Sequence, residues 1–380
     1  MKKILIVTTV PDTICDILSG QPAFLKKYYD VRVACSSNLR VDKIVEREGV
    51  IVHSVPMVRG INPVFDLYSI FRMIIVLIQF KPDVIHSYTP KAGLVSMLSS
   101  FICRVPHRVH TFTGLLFPTS VGFKKKLLIL VDKLICACAT EVLAESKGVL
   151  NDLMSHKITT KNINIVGNGN IAGVDTEFYS LQNKSYQVSS EHLLDKFPIL
   201  KDKFIFVYVG RLNQDKGIYE LVEAFNLLKS FKESIVLFLI GGLDYTNPIS
   251  NDILDKIRND DYILEIGHVD DIRPYLAISD VLVLPSYREG FPNVVLQACS
   301  MQLPVISTAV SGSKELIVDS YNGWLVQPKN VQELLDSMIY ASSMSKSSLI
   351  TIGVNGRSEI VAKYERKFFW NELLSFYESL

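Results

Sequence analysis

The chain of 380 residues contains no CxxC pair. None of its six cysteines (Cys15, Cys35, Cys103, Cys136, Cys138 and Cys299) has a histidine at metal-ligand spacing. That excludes the common zinc and dithiol motifs and leaves reduced, structural thiols. No apolar run reaches the ~18 residues of a membrane span. The best candidate, Met73–Phe80, is flanked by Arg72 and Lys81. The Lys2-Lys3 start could open a signal peptide, but Asp12 and Asp16 interrupt the apolar stretch. It reads better as a buried first strand, which places the protein in the cytoplasm. There is no low-complexity segment, and no basic-aromatic repeat of the kind that binds nucleic acid.

What is present is globular. Apolar residues make up 48% of the chain and charged residues 21%, outside the range of disordered proteins. The length predicts two domains. Mean hydropathy is +0.24, which implies wide buried sheets or a surface that meets something apolar. The net charge of +1 hides an asymmetry. Residues 1–200 carry 23 Lys+Arg against 16 Asp+Glu, and the remainder 17 against 23. A basic first half suits an anionic membrane or an anionic acceptor.

Strand and helix signals alternate along the whole chain. In the first half, strands are expected at Lys3–Thr8, Asp30–Ala34, Ile51–Val55, Asp83–His86, Arg108–Thr111, Glu141–Ala144 and Ile163–Val166. A second series follows at Phe204–Val209, Ser234–Ile240, Ile263–Ile266, Val281–Leu284 and Pro304–Thr308. Short continuous apolar strands separated by helices indicate parallel sheets covered on both faces. The expected organisation is a first domain over 1–180, a linker region over 181–203 and a second domain over 204–354. A helical segment at 355–380 is expected to pack back on the first domain. Ligands of such sheets sit beyond the carboxyl ends of the strands. The loops Ser87–Pro90, Gly210-Arg211, Gly241-Gly242 and Pro285–Gly290 are therefore the places to look.

Two segments carry chemistry. In Val209-Gly210-Arg211-Leu212-Asn213-Gln214-Asp215-Lys216-Gly217 a strand ends, Gly210 permits a tight turn, and two cations precede a helix. Arg grips phosphate oxygens in pairs, and Lys adds a mobile charge. The helix start adds N–H donors and a positive dipole end. The second segment, Leu284 to Ala298, ends a strand, sets Glu289 on a loop and opens a helix near Pro292. There Glu289 can accept from sugar hydroxyls, Gly290 and Phe291 can offer N–H groups to phosphate, and Gln297 can reach a ribose.

These segments resemble the retaining, two-Rossmann-domain glycosyltransferases of family 4. Gly210-Arg211-Leu212 with Lys216-Gly217 is similar to that family's phosphate-binding segment. Glu289-Gly290-Phe291-Pro292-Asn293-Val294-Val295-Leu296-Gln297-Ala298 is similar to its acid-x7-acid signature. Asp280, Pro285, Ser286, Pro304, Gly312, Glu315 and Gly323 fall where the pattern has them, and Gly173-Val174-Asp175 resembles the close of the first domain. The resemblance implies an α/β chain of the GT-B fold, two Rossmann-like doubly wound domains facing a central cleft. It implies Arg211, Lys216 and Glu289 as catalytic residues. Donor contacts would come from Gly210, Gly241, Gly290, Phe291, Pro292, Asn293 and Gln297, with no metal and no cofactor. The donor would be a nucleotide sugar with UDP as its nucleotide. One departure stands out: the second acid of the signature is Gln297, whose amide both donates and accepts. Thr8-Thr9-Val10-Pro11-Asp12 replaces a Gly-rich loop found in many relatives.

The first half resembles transferases of bacterial surface-polysaccharide assembly through Asp83–Gly93 and Arg108–Leu115. A His common in relatives is Thr113 here, and the nearest His is His110. Lys91, His110 and Thr113 are the candidate acceptor-facing or sugar-facing residues. Lys91 reads either as a site for an anionic acceptor or as a solvated helix start, and His110 either as a ligand-facing or as a sheet-packed residue. Phe117 and Phe123 beside Lys124, Lys125 and Lys126 suit an anionic membrane surface or an ordinary helix start. The expected activity is transfer of a hexose or N-acetylhexosamine to a polyprenyl-diphosphate-linked sugar at the inner face of the cytoplasmic membrane. The alternatives are a nucleotide-sugar epimerase of the same architecture and a non-catalytic partner that binds the nucleotide sugar.

Overall fold

The structure is a computed structural model and describes residues 1–58, 60 and 62–380. The chain forms two compact units. One comprises Met1–Gly173 with Arg366–Leu380, the other Val174–Glu365.

The first unit is built on seven strands: β1 (Lys3–Val7), β2 (Asp30–Cys35), β3 (Ile51–Ser54), β4 (Val84–Ser87), β5 (His107–Phe112), β6 (Glu141–Ala144) and β7 (Ile163–Asn164). All pair in parallel, in the order β3-β2-β1-β4-β5-β6-β7. Ile4 to Val7 are fully buried, because helices cover both faces and every side chain of the strand meets apolar neighbours. One core joins the sheet to helices Pro63–Phe80, Pro90–Ile102 and Gly122–Cys138. The other joins it to Gln21–Leu25, Val41–Glu48 and the C-terminal helix Arg366–Glu378. His86 anchors that last helix. Its Nδ1 lies 2.6 Å from the Tyr377 hydroxyl and its Nε2 2.7 Å from Thr111 Oγ1. Burial holds the imidazole well below its ordinary value, so it is neutral.

The second unit repeats the plan with β8 (Phe204–Val209), β9 (Ile235–Ile240), β10 (Ile263–Gly267), β11 (Val281–Leu284), β12 (Val305–Thr308) and β13 (Gly323–Val326). The order is β10-β9-β8-β11-β12-β13, again all parallel. β9 is buried over its whole length. Both sheets have the doubly wound order expected from the alternating pattern.

Several boundaries differ from expectation. The stretch 181–203 is no linker, since it lies within the second unit and folds as helix Gln187–Lys196. Arg273 holds it there: its guanidinium donates to Phe178 O and Ser185 Oγ. The C-terminal stretch is two helices, Lys346–Lys363 and Arg366–Glu378. Between them Glu365 pairs with Val174 in an isolated bridge and Tyr364 O accepts from Val174 N at 2.9 Å. The chain therefore leaves and re-enters the first unit at adjacent points. Strand β13 and helices Lys147–Ser155 and Arg273–Ile278 were not expected. Gly323 lets β13 approach β12, since a Cβ there would lie 2.3 Å from Val305 O.

Helix Pro63–Phe80 extends well upstream of the Met73–Phe80 run. By length and composition it could cross a membrane. Here Met73, Val76, Leu77 and Phe80 pack it against the first sheet.

Asp132, on helix Gly122–Cys138, is 8% exposed, and burial alone raises its carboxyl from 3.8 to about 7. Between those values the folded chain keeps a proton that the unfolded chain has released. Stability therefore falls as pH rises through that window and is level above it, with an amplitude of about 1–4 kcal/mol. Asp132→Asn removes the ionisation. Its Tm at pH 8 should exceed that of the unmodified chain by about 4 °C or more, with the two converging near pH 4. Equal Tm values at pH 8 would refute this account.

Candidate functional site

In the second unit, β8 and β11 are neighbours whose onward connections run in opposite directions, β8 toward β10 and β11 toward β13. A crevice opens beyond their carboxyl ends for geometric reasons. The loop after β8 carries Gly210, Arg211 and Lys216, and the loop after β11 carries Pro285 to Gly290. Both motifs thus meet at one switch point, although Lys216 and Glu289 are 73 residues apart in sequence.

The two loops are joined by several contacts. Gly217 takes φ +67°, and a Cβ there would lie 2.1 Å from Pro285 O. No other residue allows that approach. The Tyr287 N–H donates to Asp215 O at 2.8 Å, and Arg288 Nη2 donates to Asp215 Oδ2 at 2.8 Å. The Tyr287 hydroxyl donates to both Glu220 oxygens at 2.7 and 2.8 Å. Lys216 Nζ then meets Glu289 Oε1 in an ion pair. Asn213 caps the turn: its Oδ1 accepts from Lys216 N at 3.1 Å.

Arg211 is half exposed and its Nη1 contacts Asp244 Oδ2. Asp244 follows Gly241-Gly242-Leu243 at the end of β9. It also accepts from Asn213 Nδ2 at 3.1 Å and from the Thr246 hydroxyl at 2.6 Å. Burial opposes its ionisation, but these hydrogen bonds and the Arg211 charge outweigh that and hold its carboxyl at about 2. Tyr208, fully buried on β8, donates its hydroxyl to Arg211 O at 2.8 Å. Its phenol is pushed well above the ordinary value by burial and by the Glu289 charge. Gly210 and Gly241 are forced by proximity. A Cβ on Gly241 would sit 1.9 Å from Gly210 O.

Gly290, Phe291 and Pro292 are buried as they lead into helix Asn293–Ser300. Gly312 supports this entry, because a Cβ there would lie 2.3 Å from Gly290 O. Asn293 stands in the first turn and Gln297 one turn on, both half-buried. The arrangement offers two cations, a carboxylate and a helix N-terminus at one place. Such a site can hold an anionic diphosphate and hydrogen-bond a polyol beside it. Among the described residues, no group of three or more His, Cys, Asp and Glu side chains is placed to hold a metal ion.

In the first unit the acceptor-facing expectations fare differently. Lys91 is not available to an anionic ligand. Its Nζ lies 2.5 and 2.6 Å from the two oxygens of Asp66, and both side chains are 10% exposed. A paired, buried ammonium satisfies its neighbour rather than a ligand. His110 is sheet-packed. It is 1% exposed, accepts or donates through Nδ1 to Ser87 Oγ at 2.8 Å, and lies edge-on to Phe112. Gly93 makes room for its ring, since a Cβ there would be 2.4 Å from Cε1. Burial lowers its imidazole to about 3, so it is neutral and faces no solvent. Thr113 sits just past β5, and its hydroxyl donates to Tyr88 O at 2.5 Å. The Thr8-Thr9 loop is buried, with Thr9 N donating to Thr89 Oγ1 at 3.1 Å.

Sequence reasoning passes over Asp244, Asn213 and Tyr208. Asn213 has a signal, an Asn four residues before Gly217 at a turn start. Asp244 has none, because only the β8–β9 pairing brings it to Arg211.

Residues 24–169 match the family model described as "Glycosyl transferase 4-like domain", and residues 189–365 match "Glycosyl transferases group 1". Fold and site together therefore define a glycosyltransferase of the GT-B fold. The capsular polysaccharide biosynthesis glycosyltransferase CapM of Staphylococcus aureus is 33% identical over 384 residues, covering 100% of this chain and 97% of the relative. A UDP-Gal:α-D-GlcNAc-diphosphoundecaprenol α-1,3-galactosyltransferase of Escherichia coli is 24% identical, covering 82% of this chain and 79% of the relative. Among solved structures, Anabaena Alr3699/HepE in complex with UDP and glucose superposes with a TM-score of 0.81 at 19% identity, over 100% of both chains. The chain belongs to the family 4 glycosyltransferases, of the surface-polysaccharide type.

Gly241→Ala should cost about 2 kcal/mol or more in urea unfolding, because its Cβ would overlap the Gly210 carbonyl in a positive-φ conformation. Gly242→Ala is the control: nothing lies within 4 Å of its added Cβ, so stability should stay within about 0.5 kcal/mol. Equal stability of the two variants would refute the close-approach argument.

Proposed function

We propose that this chain transfers a hexose or N-acetylhexosamine from a UDP-sugar, held in the second unit, to a sugar carried on a polyprenyl diphosphate, with retention of anomeric configuration. The observation that carries the proposal is the meeting of Arg211, Lys216 and Glu289 at the carboxyl ends of β8 and β11. The donor class is supported by HepE, which is similar in fold and was solved in complex with UDP and glucose. The acceptor class is supported by the E. coli relative, whose name specifies a sugar on diphosphoundecaprenol.

In this reading the two cations rest on carboxylates, Arg211 on Asp244 and Lys216 on Glu289. The incoming diphosphate takes over both. A second negative charge then grows on its outer phosphate as the bond from sugar C1 to that phosphate's oxygen breaks. Arg211 and Lys216 stabilise that charge, and no metal is needed. Glu289, released from Lys216, accepts from hydroxyls of the sugar. Gln297 donates to one ribose hydroxyl and accepts from the other. The acceptor hydroxyl bonds to C1 on the face the phosphate leaves, and its proton passes to the departing phosphate oxygen.

A thermal-shift panel of UDP-, GDP-, dTDP- and CMP-sugars in EDTA should stabilise the chain with the UDP class alone, and Arg211→Ala should abolish the shift. Lys216→Ala should lower kcat by about 10²–10³-fold, the cost of losing one donor at a growing oxyanion. NMR of the product should show the donor's anomeric configuration. Inverted product, or transfer that EDTA abolishes, would overturn the corresponding part of the proposal.

A further inference from the structure

One layer of the first unit has an unusual outer surface. Helix Pro90–Ile102 packs between helices Pro63–Phe80 and Gly122–Cys138. A helix that covers a sheet ordinarily turns polar residues outward. Here several outward positions are apolar: Val64, Leu67 and Phe71 on one flank, Val121, Phe123 and Leu130 on the other, with Phe123 80% exposed. Both flanking helices run against the parallel strands. Their first turns therefore lie at the carboxyl end of the sheet.

The charge on this layer has a single sign. Its three helices carry six Lys+Arg, with Asp66 and Asp132 as their acids, and Asp83 lies just before β4. None of the three acids faces outward as a free carboxylate. Asp66 is buried and paired with Lys91. Asp132 is 8% exposed, and burial raises its carboxyl. Asp83 Oδ2 accepts from Lys3 N at 2.7 Å. Arg72, Lys124 and Lys126 are exposed and Lys125 is partly so. The layer on the opposite face of the same sheet is ordinary, with exposed Asp42, Glu46, Glu372 and Glu378. Proximity to a protein partner would not require every carboxylate to be withdrawn. A bilayer with anionic headgroups does, because it repels acids, attracts Lys and Arg, and accepts apolar side chains at its acyl boundary.

We propose that the outer face of helices Pro63–Phe80 and Gly122–Cys138 is a docking surface for an anionic lipid bilayer. Val64, Leu67, Phe71 and Phe123 enter the interface, while Arg72 and Lys124 to Lys126 lie among the headgroups. The Asp66–Lys91 pair then has a clear use, since it removes the helix's one carboxylate from the lipid face. The inference deepens the lipid-linked-acceptor reading and rests on it for its purpose. Its test needs neither donor nor acceptor.

The experiment is co-sedimentation of the full chain with vesicles of phosphatidylcholine containing 30% phosphatidylglycerol, without sugars. The chain should sediment with these vesicles and remain in solution with pure phosphatidylcholine. Replacing Lys124, Lys125 and Lys126 by Glu should weaken binding by about 100-fold or more, at roughly fivefold for each positive charge lost near the surface. Phe71→Ser with Phe123→Ser should weaken it comparably. The Tm of each variant without vesicles should equal that of the unmodified chain, which shows that they fold and keeps this test apart from that of the activity. Equal sedimentation with neutral vesicles, or unchanged binding by both variants, overturns the proposal. So does a dimer in analytical ultracentrifugation that Phe71→Ser with Phe123→Ser dissolves, for then a second copy covers the face.

Discussion

The second unit depends on one close approach, that of Gly217 to the carbonyl of Pro285. It brings the loop after β8 within hydrogen-bond reach of the loop after β11. The backbone bond from Tyr287 to Asp215, the Arg288–Asp215 pair and the Lys216–Glu289 pair all follow. A side chain at Gly217 would separate the loops by more than an ångström, and the cations would then belong to one surface and the carboxylate to another. Gly241 against Gly210 and Gly312 against Gly290 repeat the device on either side. The site is assembled from backbone contacts that only glycine permits, with side chains placed on top of them.

The resting charges are balanced. Arg211 and Lys216 each lie against a carboxylate, so no uncompensated charge is held in the partly buried crevice. A diphosphate can displace both partners without leaving an orphan cation, and Glu289 is then free for a neutral polyol. In the proposed reaction this exchange would link phosphate binding to the release of Glu289 from Lys216. It also gives Asp244 a role that the family's signature residues do not suggest. It orients Arg211 from β9, and is kept ionised by Asn213 and Thr246.

The first unit spends its ionisable groups differently. His86 and His110 are both buried and neutral. His86 bonds to Tyr377 and Thr111, which fastens the C-terminal helix to the sheet, and His110 fills the space that Gly93 leaves. Lys91 is consumed by Asp66. Lys91 and His110, which read as chemistry in the sequence, are structural here. The surface that remains distinctive is the outer face of helices Pro63–Phe80 and Gly122–Cys138, apolar and basic with both of their acids buried, which accords with the positive mean hydropathy of the chain.

The alternation of short apolar strands with helical periods was enough to determine the two parallel sheets. Burial on both faces leaves so strong a pattern that twelve of the thirteen strands were legible. The exception, β13, is short and begins with the glycine on which its pairing depends. The cations and the acid were legible too, because glycine, strand end and helix start mark them locally. The assignment of 181–203 to the second unit, the partners of Lys91 and His110, and the anchoring of Arg211 by Asp244 were settled only in the tertiary structure. Each depends on contacts between segments distant along the chain, and residue spacing carries no record of which side of a sheet or helix such a contact will occupy.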